Sequence, residues 1–355
     1  MVSGTSGRVF VTRPIPDVGL DFLRAAGAHV EVWGGAGDAP AHHDLAQWLR
    51  GCDVLLSLLT ERIDATLLEG APHLRGIANY AVGHDNIELP TATRLGIPVS
   101  NTPDVLTEST ADLTWALLLG AARRVVEADR YMRLGNYRLW GPKLLLGEDV
   151  SPGCEGATKQ LGIIGFGRIG QAVARRAQGF SMRVVAHHPS APERVERSGL
   201  AAAVSLEQLL ATSDFVSLHV PLTETTRHLI GAAELGAMRS SAVLVNTSRG
   251  AVVDEKALVE ALASGDIAAA GLDVYEHEPA MATGLAELPN TVLLPHIGSA
   301  SRGTRDAMAR IAATNAVAML RGEAAPQCIN PEIYDSAAFD ARIRRLQPGE
   351  PRLTT

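Results

Sequence analysis

The stretch LGIIGFGRIG at residues 161–170 decides the fold of this chain. An apolar strand leads into Gly165, Gly167 and Gly170, which have the spacing G-x-G-x-x-G, and the amphipathic segment IGQAVARRAQGF follows. Gly165 permits a tight turn, Gly167 lets backbone approach a pyrophosphate, and Gly170 allows close helix–strand packing. The spacing alone is weak evidence among 34 glycines. A strand before it and a helix after it nevertheless predict a dinucleotide-binding turn, with the phosphates at the helix N-terminus.

The next strand, RVVAHH at 183–188, bears on the choice of dinucleotide. An acidic residue at its end would hold the adenosine ribose of NAD, but His188 occupies that position. Pro189 and Ser190 follow, and Arg194 lies six residues after His188. Imidazole and hydroxyl groups do not repel a 2′-phosphate as a carboxylate does. The sequence therefore favours NADP(H), with NAD(H) possible; the alternative is a solvated His188 in a protein that uses either cofactor.

The composition is that of an ordinary globular protein with room for two domains. The chain has 355 residues, of which 46% are apolar and 20% charged. A net charge of −7 without a block of like charges argues against a nucleic-acid partner or an anionic membrane. No signal pattern and no apolar run near the length of a membrane span is present.

Cysteine usage indicates a reducing compartment. Cys52, Cys154 and Cys328 are scattered, odd in number and without a CxxC pair, which argues against a disulfide framework and a structural zinc site. We therefore expect no bound metal and a cytoplasmic location.

Two runs of alternating strands and helices organise the chain, at 8–100 and from 161 to about 298. Such alternation predicts parallel sheets covered by helices on both faces, so the fold class is α/β with two doubly wound sheets. Between the two runs, residues 104–134 predict one long helix, and residues 136–159 predict an irregular loop.

Chemistry-bearing side chains follow three strands of the second run. NTSRG contains Arg249, LDVYEHEP contains Asp273, Glu276 and Glu278, and LLPHIGSA contains His296. Ligands of doubly wound sheets bind outside the carboxyl ends of the strands. A guanidinium, a carboxylate and an imidazole there predict a site that donates a proton and binds a carboxylate.

Several motifs together resemble a known family. GFGRIGQAVARR, VPLTETTRHLI, LVNTSRGAVVDEKALVEAL, AGLDVYEHEP and PHIGSA resemble the NAD(P)-dependent D-2-hydroxyacid dehydrogenases. ANYAVGHDNI, SNTPDVLTESTADLTWALLL and WGPKLLLGEDV look most like the glyoxylate/hydroxypyruvate reductases within that family. The resemblance covers about residues 8–330.

The resemblance implies a Rossmann domain inserted into a flavodoxin-like substrate domain. It places the substrate domain at 1–104, the NAD(P)-binding domain at 105–298 and a returning C-terminal helix at 299–335. The polar stretch 336–355 predicts a flexible tail. A homodimer is also implied, in which Trp140 either reaches into the neighbouring site or packs its own loop.

The resemblance also implies an activity, the reduction of a small 2-oxo acid to the D-2-hydroxy acid. Arg249, Glu278 and His296 fall on the catalytic positions of the family. His296 would be the general acid, Glu278 would fix its tautomer and favour its protonated form, and Arg249 would bind the substrate carboxylate or polarise the ketone.

Further residues are expected to bind ligands. Leu59, Asn79 and the Val82–Gly83 backbone would contact the substrate, together with Arg249 and His296, and Asp273 would hold the nicotinamide carboxamide. The expected cofactor-binding residues are Gly165, Phe166, Gly167, Arg168, Ile169, Gly170, His188, Pro189, Ser190, Val220, Pro221, Thr226, Thr247, Ser248, Asp273 and Gly298.

Other members of the superfamily fit the motifs less well. Formate dehydrogenases have glutamine where Glu278 stands, and phosphite dehydrogenases have lysine where Val82 stands. A related dehydrogenase of D-lactate or phosphite, or an NAD(H)-sensing corepressor without enzymatic turnover, stays open. SPGCEGATKQ at 151–160 is longer than the turn this family usually has before the strand and is expected to bulge.

Overall fold

The computed structural model describes residues 7–34, 39–152 and 156–346. They divide into two compact units: the first contains residues up to Val105 and from Ser301 onward, and the second runs from Leu106 to Ala300. The second unit is therefore inserted into the sequence of the first. Residues 1–6 and the middle of SPGCEGATKQ, including Cys154, lie outside the described ranges.

The described residues form twelve strands, numbered in chain order. They are β1 (Arg8–Val11), β2 (His29–Val32), β3 (Val54–Ser57), β4 (Gly76–Asn79), β5 (Val99–Ser100), β6 (Gln160–Ile164), β7 (Arg183–His187), β8 (Ala202–Ala203), β9 (Phe215–Leu218), β10 (Val243–Asn246), β11 (Ala269–Leu272) and β12 (Thr291–Leu293).

Thirteen α-helices connect or flank these strands within the described ranges. They are α1 (Asp17–Ala25), α2 (His42–Leu49), α3 (Ala65–Glu69), α4 (Leu89–Arg94), α5 (Thr107–Ala122), α6 (Val125–Arg133), α7 (Arg168–Ala177), α8 (Pro192–Ser198), α9 (Leu206–Thr212), α10 (Ala232–Ala237), α11 (Glu255–Ser264), α12 (Arg302–Leu320) and α13 (Ala337–Arg345).

The first unit has a five-stranded parallel sheet in the order β2-β1-β3-β4-β5. This is the flavodoxin-like order of doubly wound folds. All four residues of β3 are buried, because helices cover both faces of a parallel sheet and no alternation with polar residues is needed. Helix α1 packs closely on α12, where a Cβ at Gly19 would lie 2.8 Å from the Ala309 carbonyl oxygen.

The end of the chain corrects one prediction. The polar composition predicted a flexible tail over 336–355, but residues 337–345 form helix α13. Residues 347–355 of the predicted tail lie outside the described ranges. Arg342 is 8% exposed and donates to the carbonyl oxygens of Leu95, Ala71 and Leu74. Three backbone acceptors more than 240 residues away in sequence thus fix the helix, and a local pattern could not reveal them.

The second unit has a seven-stranded parallel sheet in the order β12-β11-β10-β9-β6-β7-β8. The chain reverses direction across the sheet between β6 and β9, which is the switch point where doubly wound sheets bind ligands. Ile163 and Ile164 belong to separate apolar clusters, one on each face of the sheet. Two doubly wound parallel sheets confirm the predicted fold class.

Residues 104–134 do not form one uninterrupted helix. Helix α5 ends at Ala122, Arg124 adopts left-handed backbone angles (φ 52°), and α6 begins at Val125. Irregular backbone follows α6 up to β6 in the described residues, as the sequence predicted.

Candidate active site

The glycine turn has the geometry that its spacing predicts. Gly165 has φ 92°, and a Cβ there would lie 2.4 Å from the carbonyl oxygen of His219 at the end of β9. A Cβ at Gly170 would lie 2.3 Å from the carbonyl oxygen of Gly165. Only glycine fits these two positions without a shift of the backbone.

The middle glycine, Gly167, is not closely packed. A Cβ at Gly167 would meet no atom within 4 Å, and Gly167 precedes α7 as an N-cap without a side-chain cap. The N-terminus of α7 therefore opens onto free space. The N–H groups in the first turn of a helix have no acceptor within the helix, and together with the helix dipole they favour an anion at such a place.

His219 lies beside this turn and was not singled out from the sequence. The ring atom Nε2 of His219 pairs with the Ser217 hydroxyl at 2.8 Å. The backbone N–H of His219 donates to the Ile164 carbonyl oxygen at 2.7 Å. Burial lowers the pKa of His219 to about 3, so the imidazole is neutral. Its position directly after β9, one residue before the predicted cofactor residue Val220, was the available signal.

His188 follows β7, as expected, and the charge of Arg194 acts on it. Burial lowers the pKa of His188, the positive charge of Arg194 lowers it further, and the negative charge of Glu193 opposes the shift. Arg194 is exposed. The imidazole and the guanidinium thus lie near each other just beyond the strand end, without a carboxylate at position 188.

His296 and Glu278 form the central pair of the site. Nδ1 of His296 lies 2.8 Å from Oε2 of Glu278, and both side chains are about a quarter exposed, at 25% and 27%. Oε1 of Glu278 accepts the Tyr275 N–H at 3.1 Å. Because a carboxylate only accepts, Nδ1 carries a proton, and Nε2 is the nitrogen left for another partner.

The environment keeps Glu278 ionised. Burial alone raises its pKa, but the hydrogen bond and charge of His296, the Tyr275 amide and the charge of Arg249 outweigh burial. The pKa of Glu278 is accordingly lowered from its usual value. Because the charge of Arg249 lowers the pKa of Glu278, all three predicted catalytic residues share one electrostatic environment.

Arg249 follows β10 with its backbone held by a neighbouring side chain. Its carbonyl oxygen accepts from Asn246 Nδ2 at 2.9 Å, and Nη1 donates to the Ser248 carbonyl oxygen at 2.9 Å. Asn246 is 1% exposed. The buried amide thus fixes the turn from which the guanidinium extends.

Asp273 anchors the segment that carries His296. It is 1% exposed, and its two oxygens accept the N–H groups of Ile297 and Gly298, each at 2.7 Å. His296 itself has φ 55°, an uncommon backbone conformation for histidine. Burial raises the pKa of Asp273 and the charge of Glu278 adds to the rise, while the two amides and His296 oppose it.

The remaining predicted cofactor residues lie at strand ends or in loops of the second unit, except Arg168 and Ile169, which begin α7. Thr226 Oγ1 donates to the Pro221 carbonyl oxygen at 2.6 Å and so closes the loop after β9. Thr247 pairs with Thr114 at 2.9 Å, and Ser248 Oγ donates to Asn246 Oδ1 at 2.8 Å. Their hydroxyls therefore already have protein partners.

In the first unit, the loop after β4 presents two backbone amides. Asn79 is fully buried and donates from Nδ2 to the Gly83 carbonyl oxygen at 2.8 Å, so it braces the loop from within. Asn101 Nδ2 donates to the Val82 carbonyl oxygen at 2.8 Å. Within the described chain, the N–H groups of Val82 and Gly83 donate to no protein acceptor. Leu59, after β3, is partly exposed.

Two kinds of feature are absent from the described ranges. No group of three or more His, Cys, Asp or Glu side chains there could hold a metal ion. None of the helices formed by these residues is long and apolar enough to cross a membrane.

Known proteins of similar sequence share this site's scaffold. The family described as D-isomer specific 2-hydroxyacid dehydrogenase, NAD binding domain, matches residues 115–298. A glyoxylate reductase of Korarchaeum cryptofilum is 51% identical over 328 residues, which cover 92% of this chain and 96% of the relative. The chain belongs to the D-isomer specific 2-hydroxyacid dehydrogenase family.

Solved structures agree with this membership. The TT0316 protein from Thermus thermophilus superposes with a TM-score of 0.82 at 45% identity, covering 91% of this chain and 99% of that one. An NADPH-dependent glyoxylate/hydroxypyruvate reductase from Sinorhizobium meliloti, solved with NADP and malonate, gives 0.76 at 31% identity, with 92% and 97% covered.

As a family member, this 2-hydroxyacid dehydrogenase is an oxidoreductase acting on CH–OH groups, and its second unit is an NAD-binding domain. The residues present fit a nicotinamide dinucleotide. Gly165 and Gly170 fill a close-packed turn, and Gly167 leaves space before the N-terminus of α7, as a bound pyrophosphate requires.

Proposed function

We propose that this dehydrogenase reduces glyoxylate and hydroxypyruvate to the corresponding 2-hydroxy acids, with the D configuration where the product is chiral, and uses NADPH in preference to NADH. The observation that carries the proposal is the 2.8 Å contact between His296 Nδ1 and Glu278 Oε2. It leaves Nε2 as the proton donor of a 2-oxo acid reductase. Relatives named glyoxylate reductase, about half identical to this chain, support the choice of substrate.

His296 acts as the general acid. The bound dinucleotide supplies the hydride that the carbonyl carbon receives. His296 donates its Nε2 proton to the carbonyl oxygen, so the 2-oxo group becomes an alcohol and the imidazole becomes neutral. Glu278 keeps its negative charge throughout and stabilises the protonated imidazole before the transfer.

The substrate carboxylate requires donors. In the first unit, the Val82 and Gly83 N–H groups are proposed to donate to it, since the described chain offers them no acceptor. In the second unit, Arg249 is proposed to bind the carboxylate or polarise the ketone, because its planar guanidinium donates two parallel hydrogen bonds. Leu59 contributes apolar surface, and the buried Asn79 acts indirectly by bracing the loop.

The preference for NADPH rests on the end of β7. His188 and Ser190 donate to a 2′-phosphate, and Arg194 adds positive charge near His188. The reductase from Sinorhizobium meliloti, NADPH-dependent by its description, supports the same cofactor for a protein of this fold. NADH remains usable through the glycine turn, Asp273 and the other proposed contacts, which do not distinguish the two dinucleotides.

We also propose that the enzyme is a homodimer. Eleven large apolar side chains of the described chain are exposed, and nine of these lie between Val125 and Leu146. Leu139 is 83% exposed and Trp140 is 71% exposed. A second copy of this chain covering the segment 125–146 would remove these side chains from water. Light scattering of the purified protein tests this, and a monomer at micromolar concentration contradicts it.

One assay tests the proposed activity. The oxidation of NADPH and of NADH is followed with glyoxylate, hydroxypyruvate, pyruvate and phenylpyruvate as substrates. Turnover with the first two supports the proposal, and the product configuration is read with hydroxypyruvate by chiral chromatography. No turnover with any of the four, despite dinucleotide binding, favours the nonenzymatic NAD(H)-sensing alternative and contradicts the proposal.

A further inference from the structure

One side chain holds both ends of the loop that carries Glu278. Glu255 is the first residue of α11 and is 5% exposed. Its Oε2 accepts the Glu276 N–H at 2.7 Å, and its Oε1 accepts the Ala282 N–H at 2.6 Å. Both oxygens of one buried carboxylate are therefore used on amides that flank Glu278.

Glu276 in turn accepts a hydrogen bond from the backbone of Glu255. Its Oε2 accepts the Glu255 N–H at 3.4 Å, and its Oε1 lies 2.6 Å from Nε2 of His228. The two residues thus each accept the other's backbone N–H at the N-terminus of α11. The helix dipole favours carboxylates at this end of a helix. We call Glu255, Glu276 and His228 the acidic clamp.

The acidic clamp is connected to His296, the proposed general acid, through the loop that carries Glu278. The loop from Tyr275 to Ala282 presents Glu278, whose Oε1 accepts the Tyr275 N–H and whose Oε2 contacts His296. Glu278 is about a quarter exposed, so packing alone does not hold its carboxylate. The position of Glu278 depends on the backbone on either side of it, and Glu255 fixes that backbone.

We propose that Glu255 is a positioning residue for the reaction, which acts by fixing the 276–282 loop so that Glu278 meets His296. The inference rests on the proposed function of His296 as the general acid. Glu255 contacts no reacting atom. Its effect is indirect, because a displacement of about 1 Å at a catalytic group can cost a factor of about 10² in rate.

Glu255→Gln tests the proposal most directly. The glutamine keeps the shape of the side chain but turns an NH₂ group towards one of the two amides, so one acceptor is replaced by a donor. We expect kcat to fall by about ten- to a hundredfold, with a smaller change in KM for glyoxylate. The alkaline limb of the reductive pH profile should move towards acid, as for Glu278→Gln. Glu260→Gln, exposed on the same helix, is the matched control and should behave as wild type.

A double variant separates positioning from a general loss of stability. If Glu255 acts through Glu278, then Glu255→Gln should add little once Glu278 is already glutamine, within about a factor of two, because coupled residues are not additive. Independent effects would instead multiply. A kcat of the double variant equal to the product of the two separate losses overturns the proposal.

Two further measurements keep the proposal testable if Glu255→Gln does not fold or the enzyme does not reduce glyoxylate. Glu276→Gln weakens the clamp from its more exposed side, and we expect a smaller shift of the pH profile in the same direction. NMR titration of His296 requires no substrate and should show a lower midpoint in either folded clamp variant. Inactivity of the wild type contradicts the proposed function alone. A folded clamp variant whose His296 titrates like wild type overturns the role of Glu255.

Discussion

Gly250 packs against the carbonyl group of Tyr275 so closely that no side chain fits between them. A Cβ at Gly250 would lie 1.8 Å from the carbonyl carbon of Tyr275. Gly250 follows Arg249, and Tyr275 begins the loop that carries Glu278. The contact therefore links the backbone supports of two residues that we assign to the reaction.

Gly250→Ala should displace one of these supports. We expect a loss of about 1–3 kcal/mol in the free energy of unfolding, which is the usual cost of overpacking, together with reduced kcat. Chemical denaturation and steady-state kinetics measure the two effects. Gly236→Ala in α10 is the control, since a Cβ there meets nothing within 4 Å. Equal stability of the two variants would contradict the close contact.

His296→Ala should abolish turnover while dinucleotide binding is retained. A positioned general acid contributes about 10²–10⁴ in rate, and the glycine turn does not depend on His296. Steady-state rates and fluorescence titration with NADPH measure the two properties. The control is His43→Ala, whose side chain is 84% exposed and remote in sequence from the site. A variant that keeps more than a tenth of wild-type turnover contradicts the role of general acid.

Glu278→Gln should shift the pH dependence of reduction. Reduction requires protonated His296, so the rate falls as the pH rises and the imidazole loses its proton. The lowered pKa of Glu278 keeps a negative charge beside His296 across the neutral range, and glutamine removes that charge. The alkaline limb of kcat/KM should therefore move towards lower pH. An unchanged profile argues against the pair acting as assigned.

His188→Asp should change the choice of cofactor. A carboxylate there accepts the ribose hydroxyls of NADH and repels the 2′-phosphate of NADPH. Hydrogen bonds to charged groups contribute about 1.5–3 kcal/mol, so the ratio of kcat/KM should move about ten- to a hundredfold towards NADH. Arg194→Ala should weaken NADPH alone, with the NADH constants as the internal control. A wild type that strongly prefers NADH contradicts the NADPH assignment but leaves the dehydrogenase function intact.

Arg342→Ala should loosen the C-terminal helix α13. Burial lowers the pKa of Arg342 to about 10, so it is still charged at neutral pH and donates to three carbonyl oxygens. Its loss leaves buried acceptors unpaired, at about 1–3 kcal/mol each if water does not replace it. Urea denaturation and proteolysis of the C-terminal segment measure the effect. Arg344→Ala, exposed on the same helix, should leave stability unchanged.

Local patterns in the sequence determined much of this protein. Alternation of apolar strands with helical segments predicted both parallel sheets, because the two periodicities are set by residues close together in the chain. The spacing of Gly165, Gly167 and Gly170 predicted the turn before α7 for the same reason. Strand ends predicted where Arg249, Glu278 and His296 stand, since parallel strands bring their carboxyl ends to one edge.

Tertiary structure alone decided how these residues are held. Asp273 accepts amides 24 and 25 residues away, and Glu255 accepts amides 21 and 27 residues away. Backbone N–H groups are the same in every residue except proline, so no side-chain pattern marks which of them a buried carboxylate will meet. Helix α13 escaped prediction for a related reason, because the carbonyl groups that bind Arg342 become neighbours only after the chain has folded.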